Sequence, residues 1–354
     1  MRPLSALALA LVLAACDASA PPSGPVDLAA PWAEATPDDV GLDAVEHAVA
    51  RLAAVPRARS LLAVRGGRLA VERYLHGADR ETLHDVRSVT KTVVGMLTGL
   101  AIADGHLSLN TPIGTLLDGA ADVSPAHAAI PVGALTTMTS GLAWNELGGP
   151  SYADWITSGD HLQYVLDRPV EHAPGTDFTY NSGAVHVLGV VLEEAVGEPL
   201  PAYADRVLFG PLGIGAREWE ALSGGRVNGG SGLDLRARDL ARLGQLILQD
   251  GRSGGHAVLP AGWVAEWTAP AQPWRASSDA IGPYTYGRLV WSVDGPPGAA
   301  LAWGYGGQFI YVAPSLDLVL VATTDWRGVS MDGGASPLEA AVLDVLADLA
   351  AAAQ

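Results

Sequence analysis

Apolar residues along this chain recur in two different periods, and the change of period marks out its elements. Leu42, Val45, Val49 and Leu52 stand at helical spacing, which predicts a helix over 38–54 with one buried face, ended by Pro56. Between Leu61 and Leu75 two short β-type runs flank Gly66-Gly67, a glycine pair that predicts a tight hairpin. From Ser88 to Ala103 the apolar positions Val89, Val93, Val94, Met96, Leu97, Leu100 and Ile102 cover the helix on all sides. Such a helix is expected inside the protein, and Asp104-Gly105 ends it. A second amphipathic helix is predicted over Asp234–Leu248 and an Ala-rich one over Leu338–Ala352. Four strand-like segments, 284–293, 301–303, 309–312 and 316–323, lie between them, separated by turns.

Helix, hairpin, a long mixed middle, then strands and a closing helix imply an α/β (α+β) domain over residues 36–350. Both chain ends would build one antiparallel sheet flanked by helices, around a mostly helical insertion over about 95–280. At 354 residues and 49% apolar, the chain can bury a large core. Its 38 acidic residues against 21 basic ones, a net charge of −17, disfavour nucleic acid and anionic membrane surfaces as partners.

The start of the chain reads as an export device. Arg2 precedes an apolar run over 3–13 that is too short to span a bilayer but suits a signal peptide over residues 1–15. Leu13-Ala14-Ala15-Cys16 then resembles the lipobox of bacterial lipoproteins, which implies lipidation of Cys16. An ordinary signal peptide cut near Ala18-Ser19-Ala20 is the alternative. Cys16 is the only cysteine, so no disulfide forms within the chain. Residues 16–35, rich in Ala, Pro and Ser, read as a flexible tether. The expected location is outside the cytoplasm, as a membrane-anchored lipoprotein facing the periplasm or the cell exterior.

Ser88-Val89-Thr90-Lys91 carries the strongest chemical signal. Residues three apart share one face of a helix, so hydroxyl and amine can meet. Serine needs a neighbouring base, and lysine becomes one when burial lowers its pKa. Lys91 is the only lysine among the 21 basic residues, and the arginines around it cannot readily lose a proton. Tyr180, presented by Pro174-Gly175-Thr176-Asp177-Phe178-Thr179-Tyr180, is a candidate proton relay whose phenol a nearby cation would acidify. Trp303-Gly304-Tyr305-Gly306-Gly307-Gln308 is a glycine-dense turn between strands, suited to close backbone approach to an oxyanion. Gly251-Arg252-Ser253-Gly254-Gly255 fits Gly-x-Ser-x-Gly, but a helix precedes it where a nucleophile elbow needs a strand. The nine histidines show no metal-ligand spacing, and no cofactor motif is present.

These motifs, in this order, resemble the serine β-lactamase and penicillin-binding-protein family, over roughly 38–349 and within it the esterase and 6-aminohexanoate-dimer hydrolase branch. Leu135 to Leu142, Phe209 to Ile214 and Asp239 to Gly244 support the resemblance. It implies an acylated Ser88, Lys91 and Tyr180 sharing base and acid roles, and an oxyanion hole from the backbone N–H of Ser88 and of Gln308. Ser182 stands where the β-lactamases and transpeptidases of the family carry Asn, and Tyr305-Gly306-Gly307 where they carry Lys-Thr-Gly. Without a second lysine, an arginine such as Arg288 or Arg327 is the substitute available to hold a substrate carboxylate. The expectation shifts to ester or small-amide hydrolysis without cofactor or metal. Ser182, Trp303, Tyr305 and Gly307 are the candidate substrate contacts. A β-lactamase or D,D-peptidase is one alternative, and a non-catalytic binding or sensing lipoprotein of the same fold is another.

Overall fold

The computed structural model describes residues 24–328 and 336–354. The expected hairpin forms first: β1 (Ala58–Arg65) and β2 (Arg68–Tyr74) join at Gly66 and Gly67, whose φ of 58° and 68° fit a tight turn that favours glycine. After β2 the chain leaves this sheet and forms β3 (Leu83–Asp85). It passes β4 (Arg217–Trp219), β5 (Leu233–Arg236) and the two-residue strands β6 (Arg252–Ser253) and β7 (His256–Ala257). It returns through β8 (Arg275–Ser278), β9 (Gly282–Tyr286), β10 (Trp291–Val293), β11 (Ala299–Gly304), β12 (Gln308–Ala313) and β13 (Leu318–Thr324).

The main sheet has eight strands in the order β2-β1-β13-β12-β11-β10-β9-β8, and its neighbouring strands pair antiparallel. β13 docks beside β1, with Leu62 opposite Val321, so the two chain ends share one antiparallel sheet as expected. A small sheet, β3-β5-β4, lies apart from it.

Five helices of nine or more residues stand out among the described residues: α1 (Val45–Ala53), α2 (Val89–Ala103), α3 (Ser182–Val196), α4 (Ala237–Leu248) and α5 (Pro337–Ala352). Strand alternation divides the core between the sheet's faces. Leu61, Ala63, Phe309, Tyr311 and Leu320 meet Val45 and Leu52 of α1 and Val342, Leu346 and Leu349 of α5. Leu62, Val64, Ile310, Val319 and Val321 meet Val93 and Leu97 of α2 and Leu240 and Leu243 of α4. Because both faces are covered, β13 is buried from end to end and reads as an unbroken apolar run. α2 is buried along nearly its whole length, as its all-round apolar surface requires.

Three boundaries differ from expectation. The helix expected over 38–54 breaks at Gly41, whose φ of 67° closes a short 3-10 turn, and α1 starts only at Val45. The helix expected from Asp234 starts at Ala237: Leu233 and Leu235 alternate inward as β5, pairing with β3 and β4, and this cross-strand pairing outweighs the helical pattern. The segment 284–293 is two strands, turned between Gly287 and Val290 with Leu289 at φ 64°. Cys16, the signal peptide over 1–15 and the first part of the tether, to residue 23, lie outside the described residues. Residues 24–35 of the expected tether are held against the domain: Leu28 is buried and donates its N–H to Ser253 Oγ at 2.8 Å, and the Ala35 N–H donates to the Leu69 carbonyl at 3.1 Å.

Candidate active site

A strained turn presents Ser88. Arg87, just before it, holds φ at 49°, a left-handed conformation costly for a residue with a Cβ. The turn is tied down on several sides. The Asp85 carboxylate accepts the Arg87 backbone N–H at 3.0 Å. The guanidinium donates to the Tyr152 hydroxyl at 3.0 Å and lies 4.3 Å from the Trp326 ring centroid. Ser88 then takes the N-cap position of α2. A serine there ordinarily spends its side-chain oxygen on a backbone N–H of the first turn. Here the side chain makes no such cap, and its hydroxyl is left for Lys91 one turn on.

Lys91 Nζ lies 2.8 Å from Ser88 Oγ, 2.8 Å from Ser182 Oγ and 2.7 Å from the Gly230 carbonyl oxygen. The residue is only 1% exposed. Burial pulls its pKa from the usual lysine range down to about 8; nearby Glu146 opposes the shift and Arg87 adds to it. The amine is therefore available near neutral pH.

The Tyr180 ring centroid is 4.9 Å from Lys91 Nζ, and its side chain lines the same cavity as Ser88. The expected acidification does not follow. Burial first, and then the Glu146 charge, push this phenol well above its ordinary range, so Tyr180 keeps its proton and can only lend it. Its ring stacks on Trp291, with centroids 5.9 Å apart.

Ser88 opens into a cavity of about 250 Å³ whose walls include Tyr180, Trp274, Tyr284, Trp291, Trp303 and Tyr305. Of the four candidate substrate contacts, Trp303 and Tyr305 line this cavity. Ser182 does not: it is 1% exposed and sits beneath the cavity, bonded to Lys91 and to Glu146. Gly307 is also off the cavity wall, its N–H turned back to the Gly304 carbonyl at 3.3 Å. Gln308, fully buried, opens β12 opposite Gly304, and its side chain clasps Thr324 through three hydrogen bonds. A Cβ on Gly304 would fall 2.2 Å from the Val86 carbonyl oxygen, so only glycine lets this turn approach the Ser88 loop so closely.

Sequence reasoning missed Arg87, Glu146, Tyr152 and Glu339, all of which line the cavity. Glu339, in the first turn of α5, accepts the Gly306 N–H at 3.0 Å and the Trp303 indole N–H at 3.2 Å, and burial raises its pKa. The Ser336-x-x-Glu339 capping pattern was its one readable signal. Arg288 and Arg327, expected as carboxylate holders, line no part of the cavity: Arg288 faces Glu266 at 3.6 Å and Arg327 pairs with Asp325 at 2.8 Å. Arg87 is the guanidinium in the wall. Ser253 of the Gly-x-Ser-x-Gly stretch stands on the β6–β7 hairpin and accepts the Leu28 N–H at 2.8 Å.

The beta-lactamase family profile matches residues 44–343. The chain belongs to the beta-lactamase family of serine hydrolases. Among curated relatives, esterase EstB of Burkholderia gladioli is 32% identical over 181 residues, spanning 43% of this chain and 44% of that one. The 6-aminohexanoate-dimer hydrolase of Paenarthrobacter ureafaciens is 24% identical over 304 residues, 75% of this chain and 72% of that one. Among solved structures, a penicillin binding protein from Bacillus halodurans superposes with a TM-score of 0.66 at 18% identity, covering 86% of this chain and 99% of that one. That likeness shows the shared fold. The chain is thus a hydrolase of the β-lactamase fold with esterase and amidase-like relatives.

Proposed function

We propose that the protein hydrolyses esters or small amides through an acyl-enzyme on Ser88. One observation carries the reading: a buried amine with a pKa near neutrality lies 2.8 Å from a hydroxyl at the floor of an aromatic cavity. Neutral Lys91 takes the Ser88 proton as Oγ bonds to the substrate carbonyl carbon. The negative charge gathering on the carbonyl oxygen faces the backbone N–H of Ser88 at the start of α2, where amides lack partners within the helix. Gln308, expected as the second donor, is fully buried and off the cavity wall, so it is not placed for that role. Tyr180 passes its proton to the leaving oxygen or nitrogen as the bond to carbon breaks, and is recharged from the Lys91 ammonium. Water then attacks the acyl-enzyme, giving up its proton through the same groups and releasing the acid.

The aromatic wall suits a substrate with an apolar or aromatic acyl group. The test is labelling by a fluorophosphonate probe together with turnover of p-nitrophenyl butyrate. Both are expected in the wild type and both are expected to vanish in Ser88→Ala; labelling that survives the substitution would sink the reading. Arg87 in the cavity wall favours a second reading, a β-lactamase or D,D-peptidase, because a guanidinium can hold a carboxylate. Hydrolysis of a chromogenic cephalosporin at a rate matching the ester would support it. We further propose export and lipid anchoring through Cys16, tested by palmitate incorporation that Cys16→Ala abolishes.

A further inference from the structure

Hydrogen-bond accounting around Lys91 leads from Ser182 to Glu146. The Glu146 carboxylate accepts three donors: the Ser182 backbone N–H at 2.8 Å, the Ser182 hydroxyl at 2.6 Å and the Trp144 indole N–H at 2.9 Å. A carboxylate can only accept, so the single Ser182 hydroxyl proton is committed to it. Ser182 Oγ can then only accept from Lys91, and the Gly230 carbonyl can only accept as well. A neutral amine has two N–H groups and one lone pair. With both N–H groups directed to Ser182 and Gly230, its lone pair faces the remaining neighbour, Ser88 Oγ.

We propose that Glu146 is a positioning residue that, by holding the Ser182 proton, aims the Lys91 lone pair at the nucleophile. This rests on the assignment of Lys91 as base and adds a residue no motif indicated. Glu146→Gln reverses the arrangement. To satisfy the Ser182 N–H and the Trp144 indole, the amide turns its oxygen towards them and its NH₂ towards Ser182 Oγ. The freed Ser182 proton then points at the Lys91 lone pair and occupies it.

The experiment measures kcat and KM for p-nitrophenyl butyrate from pH 6 to 10 in the wild type, Glu146→Gln, Ser182→Ala and the double variant. In Glu146→Gln, kcat is expected to fall by about 10- to 100-fold with KM little changed, because base orientation is lost and binding is not. The acid limb should also move to lower pH, since Glu146 raises the Lys91 pKa; the other titratable groups facing that amine, Arg87 and Tyr180, are untouched. Since Glu146 acts through Ser182, the double variant should be no slower than Ser182→Ala. Losses that multiply in the double variant overturn the proposal, as does Glu146→Gln with wild-type kcat. Should Glu146→Gln fold poorly, Ser182→Ala still decides: wild-type kcat there removes the intermediary. None of these outcomes touches the Ser88 labelling test, so the two readings fail separately.

Discussion

The Lys91 cluster and the aromatic wall face one cavity and are built on opposite principles. Around Lys91, contacts are short and directed: three oxygens at 2.7–2.8 Å, one of them held in turn by Glu146 at 2.6 Å. On the wall, Trp274, Tyr284, Trp291 and Trp303 touch through ring faces and edges with centroids 5.5–6.2 Å apart. Directed bonds allow one geometry and punish any change of donor count. Ring packing is tolerant of shape and loses affinity in proportion to area. The cluster should therefore control rate, and the wall selectivity.

Lys91→Arg breaks the cluster hardest. Charge is kept but no neutral base remains, so turnover should fall by about three to four orders of magnitude while the far-ultraviolet circular dichroism stays native. A variant within tenfold of wild type would end the base assignment. The pH profile sharpens the same side. Since the Lys91 pKa is lowered to about 8 and the amine is the working form, kcat/KM should climb about tenfold per pH unit below that value and level off above it.

Trp274→Ala probes the wall. Trp274 stacks on Phe178 at 4.5 Å and lines the cavity away from Lys91. KM for an aromatic ester should rise about tenfold and kcat stay within about threefold, with a smaller KM change for an acetate ester. Equal losses in kcat would dissolve the division between cluster and wall.

The smallest effect lies outside both. Asp234 on β5 stands between Asp85 and Glu218, and burial with these charges raises its pKa to about 6. A raised carboxyl pKa means the folded state binds more protons than the unfolded one between about pH 4 and 6, so stability drops as pH rises through that window. Asp234→Asn should then raise the melting temperature by about 1–2 °C at pH 7 and not at all below pH 4, after discounting for its partial exposure. Turnover should not change, which separates charge near the Ser88 loop from charge that acts on Lys91.

What was legible followed range. Ser88 and Lys91 are readable because a helical turn joins them, and the Gly66-Gly67 hairpin because its turn is local. Ser182 was found but given the wrong neighbour: its position beside Tyr180 suggested the substrate, whereas the fold sinks it 91 residues from Lys91 in sequence and within bonding distance in space. Glu146 stands in a loop with no periodic pattern, and only packing brings it under α3. Asp234 and Leu235 read as the start of a helix because the alternation of Leu233 and Leu235 spans too few residues to compete with the pattern that follows.

The sequence by itself determined most element types and the juxtaposition of one hydroxyl with one amine. These depend on periodicity and on contacts a turn apart, which the chain carries locally. The tertiary structure decided that the amine is dry, that the Tyr180 phenol keeps its proton, and which carboxylate commits which hydroxyl. Desolvation and donor counts are properties of a closed environment, and that environment exists only once distant segments have packed around it.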